Sequence, residues 1–484
     1  MLTDRLEELR RKALILEPEE TERNHWLDAL NRYLSDYLNR LETLPAFVPA
    51  AGSLKHSPAF TFSETGRNFG ALLEDFERDV NRPGLKPGLG RYLAYIPGGG
   101  LYASALGDFL AAITNKYAGV YFAAPGAVLL ERSLVRWLAE TVGYPDSAEG
   151  DLTSGGSIAH LSALVAAREA AGLRVADIPR AAIYLSPQTH HSVAKALRIA
   201  GLSEAKIRRV ALDDRYRISP EHLEERIRRD SQQGLRPFLI VASAGTTDSG
   251  AVDPLNSLAD VAARHGVWLH VDAAYGGAFA LCREGKKVLA GLERSDSLIL
   301  DPHKGLFLPF GTGAVLVRKG EYLRKSFEYE ASYLLDKDHL VSGDIPSPAD
   351  LSPELSRHFR GLRLWLPLKL HGVAPFRAAL EEKLLLARYA YGRMAELPGF
   401  ELGPPPDLTL FTFRYRPRKG DPDAFNRKFI QAVQRDGRVF LSATEINGRF
   451  TLRMTILGFR THRKEVDLAL QILREKAEEL EKRM

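Results

Sequence analysis

Two neighbouring segments of the sequence decide the fold: VWLHVDAAY at residues 267–275 and SLILDPHKG at residues 297–305. Each begins with a nearly continuous apolar run and then changes to polar and small residues. Strands that are covered on both faces of a parallel sheet have this pattern. The first run ends at Asp272, and the residues after the second include Lys304. Because ligands bind beyond the carboxyl ends of such strands, we expect both side chains to face one binding site.

The chemistry of Asp272 and Lys304 favours a pyridine cofactor that carries an aldehyde group. An aspartate at the end of an apolar strand is costly to bury unless it meets a cation, which a pyridinium N–H supplies. A lysine amine condenses with an aldehyde, and we expect desolvation to lower the pKa of Lys304 and keep it nucleophilic. Taken singly, the aspartate could be a helix cap and the lysine a solvated surface residue.

Two further segments predict an anion site and a stacking side chain. Residues 153–157 read TSGGS before a helix pattern, so the glycines, a capping Ser157 and the helix dipole favour a phosphate. A Gly-Gly helix start without a ligand is the competing interpretation. Residues 188–192 read QTHHS, and in an extended chain His190 and His191 point in opposite directions. Two side chains that diverge are a poor pair of zinc ligands, and a suitable third ligand is missing. One histidine is therefore expected to lie flat on an aromatic ring instead.

Repeated strand-and-helix units after residue 91 predict a mostly parallel sheet. The apolar runs at 181–185 and 238–242 are further buried strands, and a helix is expected to stop at Gly266. Two amphipathic helices are predicted between residues 2 and 44. Near the C-terminus, a strand, a helix and a hairpin that turns at Asn447-Gly448 are predicted to form a small unit. A charged helix is the last element of this unit.

These patterns divide the chain into three predicted regions. They are an N-terminal helical dimerisation segment at residues 1–85, a large cofactor-binding α/β domain at 86–380 and a small α+β domain at 381–484. The length of 484 residues suits two or three such units.

The composition excludes several classes of protein. With 45% hydrophobic and 26% charged residues the chain is an average globular protein, and a net charge of +5 is too dilute to indicate nucleic acid or membrane partners. A small anionic ligand is the simpler expectation. The one cysteine, Cys282, excludes an intramolecular disulfide and a thiolate metal cluster, and we expect it to be buried. The first 16 residues lack the apolar run of a signal peptide, so the cytoplasm is the expected location.

Five motifs, in this order and spacing, resemble those of the group II pyridoxal 5′-phosphate (PLP)-dependent decarboxylases: TSGGS, QTHHSV, AGTT, HVDAAY and DPHK. That family includes aromatic-L-amino-acid, histidine, glutamate and diaminobutyrate decarboxylases. The resemblance runs from about residue 75 to the C-terminus and is strongest between residues 150 and 320. It implies PLP as the cofactor and the aspartate-aminotransferase-like fold type I. That α/β fold has a mostly parallel seven-stranded sheet, a small C-terminal α+β domain and N-terminal helices.

The resemblance also implies roles for individual residues at the cofactor. Lys304 forms the Schiff base, Asp272 pairs with the pyridine N–H and His190 stacks on the ring. Further contacts are implied for Thr246 and Ala274 and, around the phosphate, for Gly155, Gly156, Ser157 and His303. Asp301 departs from the many family members that have Asn before Pro-His-Lys. Because an ionised carboxylate repels a phosphate dianion, no phosphate role is carried over to Asp301.

On the substrate side, Tyr95, Pro97 and Gly98 resemble the family's Ala-Tyr-Phe-Pro segment and are the expected substrate-binding residues, together with Tyr117. In aromatic decarboxylases a hydroxyl residue follows the proline and helps to bind the substrate carboxylate. Gly98 in that place argues against aromatic specificity. Tyr117 lies where family members reach into the neighbouring subunit's pocket, which implies a homodimer with active sites at the subunit interface.

Residues 327–334 resemble the family's catalytic loop, whose tyrosine returns a proton to the substrate carbon. Tyr333 fits that position and Tyr329 is the alternative. Residues 356–365 resemble the Arg-Arg-Phe-Arg motif that follows the loop, with His358 in place of one arginine. A solvated basic helix start is the other interpretation of that segment.

Together these features predict a lyase of amino-acid metabolism that converts an L-amino acid to its amine and CO₂ through a Schiff base and a quinonoid intermediate. Which amino acid is the substrate stays open. An aldehyde synthase of the same fold has Phe as the loop residue, so Tyr333 argues against it. An aminotransferase needs a carboxylate-binding arginine near the C-terminus, a role that Arg453 could fill. A non-catalytic scaffold is disfavoured because Lys304, Asp272, His190 and Tyr333 are all present.

Overall fold

The computed structural model describes residues 1–328 and 345–483. These residues form two compact units, of which the first is Met1–Leu89 and the second begins at Gly90. In the described part of the chain, no helix has the length and apolar character that crossing a membrane requires.

The N-terminal unit combines helices with a two-stranded antiparallel sheet. Its elements are α1 (Leu2–Ala13), α2 (Glu20–Asn39), β1 (Phe47–Val48), α3 (Phe69–Asp75), a π-helical turn (Phe76–Asn81) and β2 (Gly84–Leu85). The two predicted amphipathic helices are therefore confirmed. The hydroxyl of Tyr33 donates to Glu77 Oε2 at 2.7 Å and connects α2 to the π-helical turn. Neither α1 nor α2 contains a buried residue, so their apolar side chains stay in contact with solvent in the single chain.

A seven-stranded sheet forms the centre of the second unit. Its strands are β3 (Glu149–Thr153), β4 (Ala181–Leu185), β5 (Lys206–Arg209), β6 (Arg236–Ser243), β7 (Trp268–Asp272), β8 (Ser297–Leu300) and β9 (Gly313–Val317). In space their order is β3-β9-β8-β7-β6-β4-β5. Only β9 runs antiparallel to its neighbours, which confirms the predicted mostly parallel sheet and fold type.

Helices cover this sheet as its buried strands require. Those before the small sheet are α4 (Tyr102–Thr114), α5 (Pro125–Thr141), α6 (Gly156–Ala170), α7 (His191–Ile199), α8 (Pro220–Gln232), α9 (Leu255–His265), α10 (Arg283–Val288), α11 (Pro302–Gly305), α12 (Glu321–Phe327) and α13 (Gly361–His371). Helix α9 ends at Gly266, whose φ of 62° is the left-handed conformation expected there. Cys282 is buried, as predicted.

The C-terminal part adds a four-stranded antiparallel sheet with its own hydrophobic core. Its elements are α14 (Ala374–Ala395), β10 (Phe400–Leu402), β11 (Leu410–Tyr415), α15 (Pro422–Asp436), β12 (Ser442–Ile446), β13 (Arg449–Thr455) and α16 (Arg463–Glu481). Asn447 and Gly448 have φ values of 52° and 72°, which confirms the hairpin turn. The domain boundary expected near residue 380 falls inside α14, and the division into three regions stays a prediction.

The order of the central strands explains where the site lies. Strands β6, β7 and β8 are adjacent and parallel, so their carboxyl ends meet at one edge of the sheet. Asp272 is the last residue of β7, and β8 leads directly through Asp301 into the short helix α11, which contains Lys304. Two residues far apart in the sequence therefore reach the same edge.

Candidate active site

A cavity of about 280 Å³ opens at the carboxyl edge of the central sheet. Eight of the nine residues expected at the cofactor line it; the ninth, Thr246, does not. Thr246 is buried, and its hydroxyl donates to Gln188 Oε1 at 2.9 Å and lies 2.8 Å from Ser249 Oγ. Its neighbour Thr247 lines the cavity instead. The role of Thr246 at the cofactor stays a prediction.

Lys304 is paired with a carboxylate inside this cavity. Its Nζ lies 2.9 Å from Asp301 Oδ2, while Asp301 Oδ1 is buried without a hydrogen-bond partner among the described residues. Burial opposes the charge on Lys304, but Asp301 and Asp272 outweigh it, and the pKa of the amine is raised. The expectation that desolvation lowers this pKa was therefore wrong, because the chain has a carboxylate where many relatives have an amide.

Asp272 also lines the cavity and is held there as an ionised group. Its Oδ1 accepts the backbone N–H of Ala274 at 3.1 Å, and its Oδ2 lies 3.3 Å from His160 Nε2. Burial raises the pKa of this carboxyl, but His160 and Lys304 outweigh burial and the net shift is downward. His160 was not identified from the sequence. The only signal for it was its position, four residues after Gly156 on the same face of α6.

His190 caps the helix that begins at the next residue. Its Nδ1 accepts the backbone N–H of Ser192 at 3.3 Å and lies 2.6 Å from Ser192 Oγ. The rings of His190 and His191 are 4.1 Å apart, so the expectation that they point in opposite directions was wrong. That expectation assumed an extended chain, whereas α7 begins at His191. Burial lowers the pKa of His190 and favours the neutral ring.

The amino end of α6 faces the cavity without a side-chain cap. Gly155 is the N-cap residue, with a φ of 151° that favours glycine, and no side chain caps the helix. The expectation that Ser157 caps the helix was wrong, since the helix already begins at Gly156 and Ser157 lies within its first turn. Uncapped N–H groups at a helix start are suited to binding a phosphate. His303 lies beside them, with Nδ1 donating to the Thr312 carbonyl at 2.6 Å.

The segment expected on the substrate side packs against the lysine turn. A Cβ added to Gly98 would lie 2.6 Å from the carbonyl oxygens of both His303 and Lys304, so no side chain fits at this position. Pro97 is buried, and Tyr95 is exposed with a φ of 53°. None of these residues lines the cavity described above, nor does the exposed Tyr117. Their substrate-binding roles stay predictions.

Arg453 on β13 is a buried cation with unused donors. Its Nε and Nη2 have no hydrogen-bond partner among the described residues. Burial lowers the pKa of Arg453, although Asp248, Tyr95 and Tyr275 act to raise it. A buried guanidinium with free N–H groups is suited to binding a carboxylate. From the sequence, Arg453 was expected to bind a carboxylate only if the protein were an aminotransferase.

The arginines of the segment at 356–365 are structural. Arg357 is buried and contacts Asp151 Oδ1 at 2.5 Å, the Leu152 carbonyl at 2.6 Å and Glu131 Oε2 at 3.0 Å. Arg360 is also buried and donates to the same carbonyl at 3.1 Å. The interpretation of this segment as solvated was therefore wrong. These contacts anchor β3, the strand that leads into the glycine turn before α6. Tyr329 and Tyr333 lie outside the described residues.

The donors around the cavity fit PLP. Lys304 supplies an amine for the aldehyde, Asp272 an ionised acceptor for the pyridine N–H and the uncapped start of α6 a place for the phosphate. The fold and this set of groups define a PLP-dependent enzyme of fold type I.

Comparison with known proteins identifies the family. The model of the pyridoxal-dependent decarboxylase conserved domain matches residues 52–416, so the chain belongs to the pyridoxal-dependent decarboxylases. Over 450 residues it is 36% identical to the aromatic-L-amino-acid decarboxylase of Bacillus atrophaeus, a match that covers 92% of this chain and 93% of the relative.

Two solved structures are also similar. That of Oryza sativa TDC with PLP and tryptamine has a TM-score of 0.89 and 28% identity, and covers 96% of this chain and 99% of its own. That of Catharanthus roseus tryptophan decarboxylase with L-tryptophan has a TM-score of 0.88, 26% identity and the same coverages. The predicted family, cofactor and reaction class are thereby confirmed: the chain is a PLP-dependent amino-acid decarboxylase, a carboxy-lyase.

Proposed function

We propose that this decarboxylase acts on aromatic L-amino acids, with Lys304 binding the cofactor covalently, Asp272 at its pyridine nitrogen and His190 against its ring. The observation that carries the assignment of residues is their convergence on one cavity. The aromatic substrate class is supported by the name of the Bacillus atrophaeus relative and by the L-tryptophan complex of the Catharanthus roseus enzyme.

PLP, when bound, supplies a protonated pyridine ring that accepts the electron pair left on the substrate carbon as CO₂ departs. Asp272 holds the proton at the pyridine nitrogen, because its carboxylate is ionised and faces the cavity. His190 restricts the tilt of the ring from the side of α7. Lys304 must lose a proton before its amine reacts with an aldehyde, and Asp301 Oδ2, at 2.9 Å, stabilises the charged form until then.

The substrate carboxylate needs a binding group other than a hydroxyl at residue 98. Gly98 lies so close to the backbone of His303 and Lys304 that this position has no room for a side chain. We propose that Arg453 binds the carboxylate, since its Nε and Nη2 are buried and have no hydrogen-bond partner in the described part of the chain. Arg453 does not line the cavity itself, but Tyr275, which does, is close enough to act on its charge. Under this proposal, Gly98 does not argue against an aromatic substrate, because the carboxylate is bound from the small C-terminal sheet instead.

Release of CO₂ from a panel of amino acids tests the substrate class. We expect kcat/KM for L-tryptophan, L-tyrosine or L-phenylalanine to exceed that for L-glutamate or L-2,4-diaminobutyrate by about 10²-fold or more, since a site that binds an aromatic side chain would remove the solvation of a charged one without replacing it. The panel run with the Lys304→Ala protein measures the background. Faster turnover of L-glutamate than of every aromatic substrate would contradict the aromatic assignment but not the decarboxylase family.

We also propose a homodimer, supported by an exposed apolar face on α4. Tyr102, Leu106, Phe109, Leu110 and Ile113 are all exposed on this helix. Large contiguous apolar faces of this kind mark protein interfaces. Tyr117 follows directly after the helix, which agrees with its predicted role in the neighbouring subunit's site. The cytoplasmic location stays a prediction of the sequence analysis.

The dimer is tested by light scattering on the PLP-loaded protein and on two matched variants. Ile113→Asp buries a charge in the proposed interface, and we expect dissociation to monomers with loss of most activity. Val175→Asp is the control, because Val175 is equally exposed (76% against 72% for Ile113) and lies on another surface. A wild-type protein that is monomeric and fully active would exclude the dimer.

A further inference from the structure

A row of four side chains leads away from Asp272 into the interior of the sheet. Asp272 Oδ2 lies 3.3 Å from His160 Nε2, and His160 Nδ1 lies 3.0 Å from His270 Nε2. His270 Nδ1 lies 2.9 Å from Ser297 Oγ, which accepts the indole N–H of Trp268 at 2.9 Å. Both histidines and Ser297 are buried. Of Asp272 and the four side chains that follow it in the row, only Asp272 and His160 line the cavity.

When both histidine rings are neutral, the carboxylate end of this row determines which atom donates at each step. An ionised Asp272 only accepts, so His160 donates from Nε2 and its Nδ1 is left to accept. Ser297 Oγ, which accepts from Trp268 Nε1, then donates its own hydrogen to His270 Nδ1. A neutral His270 then carries its proton on Nε2 and donates to His160 Nδ1. His160 in turn carries its proton on Nε2 and donates to Asp272. Each hydrogen bond therefore points toward the carboxylate.

We propose that His160 is a positioning residue for the cofactor: fixed as the Nε2–H tautomer by His270, Ser297 and Trp268, it keeps Asp272 ionised and oriented toward the pyridine nitrogen. The proposal rests on the proposed role of Asp272. His160 lies at the cavity wall and His270, Ser297 and Trp268 lie behind it, and this assignment gives none of the four a contact with substrate or cofactor. They act through the carboxylate.

The charges around Asp272 explain why such a support is needed. Burial favours the protonated carboxyl, and a protonated Asp272 would lack the negative charge that stabilises a protonated pyridine nitrogen. The groups that face it are His160 from α6, Lys304 from α11 and the Ala274 N–H, and the charge of Asp272 also interacts with His190, the residue before α7. Lys304 acts on Asp272 through its charge alone, so among the described residues His160 is the side-chain donor to this carboxylate. His270 stays neutral, because burial lowers its pKa to about 3.

The test is the ¹⁵N NMR shift of the pyridine nitrogen in protein loaded with ring-¹⁵N-labelled PLP. Wild type should show a protonated nitrogen. His160→Leu, which removes the donor at similar volume, should move the signal toward the unprotonated form and weaken PLP binding about 10- to 100-fold, the range for a lost hydrogen bond to a charged group. His160→Gln retains an N–H near the Nε2 position and should keep most of the wild-type shift. His371→Leu is the matched control, because His371 is exposed at the end of α13 and does not line the cavity.

The possible results distinguish the role of His160 from the role of Asp272 on which it depends. If His160→Leu keeps the wild-type nitrogen shift and PLP affinity, the role of His160 is excluded. If wild type itself shows an unprotonated nitrogen, or Asp272→Asn leaves the shift unchanged, it is the role of Asp272 that fails. Should His160→Leu not fold, the ring ¹⁵N shifts of the wild-type histidines decide: His160 and His270 must both be neutral and protonated on Nε2, and any other tautomer contradicts the row.

Discussion

Lys304→Ala should lose amine formation by roughly 10⁴-fold or more, the scale seen when a covalent nucleophile is removed from an enzyme. The variant should still fold, because Lys304 is in the four-residue helix α11 and its side chain lies in a cavity, not in a hydrophobic core. It should still bind PLP weakly through the α6 start and Asp272, but without a covalent link. Borohydride reduction should attach the cofactor to the wild-type peptide that contains Lys304 and to no peptide of the variant, as peptide mass spectrometry measures.

Lys319→Ala is the control for this experiment. Lys319 follows the next strand, β9, and its side chain is exposed, so its loss should change neither activity nor labelling. Borohydride labelling at Lys286, Lys287 or Lys319 in place of Lys304 would overturn the assignment of the cofactor-binding lysine.

Tyr333→Phe should replace amine by aldehyde as the main product. The loop tyrosine is proposed as the acid that returns a proton to the substrate carbon after CO₂ leaves, and losing a general acid slows such a step about 10²- to 10⁴-fold. The substitution removes only a hydroxyl, so substrate binding should persist. An electron-rich carbon that waits longer for a proton reacts with O₂ and water to give the aldehyde, ammonia and hydrogen peroxide. Parallel assays of amine, CO₂ and peroxide measure the change.

Tyr329→Phe is the matched variant, since it removes the same hydroxyl four residues earlier in the loop. It should leave the product as amine at close to the parent rate. If instead Tyr329→Phe diverts the reaction and Tyr333→Phe does not, the two tyrosines exchange roles. Wild-type protein that makes mainly aldehyde and peroxide would identify the enzyme as the aldehyde synthase considered from the sequence.

The parts of the fold that local patterns specify were predicted well. Strand β4 has the same bounds in the structure as in the sequence prediction, and β8 is the apolar run with which the segment at 297–305 begins, because strands covered on both faces are continuously apolar. The hairpin at Asn447-Gly448 and the helix end at Gly266 were also predicted, since both depend on residues that tolerate positive φ. Fold class, family and cofactor followed from these elements together with the motifs at their ends.

What joins the motifs into a site was decided only by the tertiary structure. The charged state of Lys304 depends on Asp301 and Asp272, which the sequence shows as neighbours in the chain and not as charges at known distances. His160 and His270 lie on different elements, 110 residues apart, and meet only because α6 packs on the central sheet. Arg453 comes from the small sheet, and Gly98 is restricted by the backbone of a distant turn.

The sequence by itself therefore determined the elements, the cofactor and the reaction class, because strand burial, turns and motif chemistry depend on residues close in the chain. Only the tertiary structure decided the protonation of the lysine and the support of Asp272. Electrostatic interactions depend on the distance between groups and on their burial, and packing sets both.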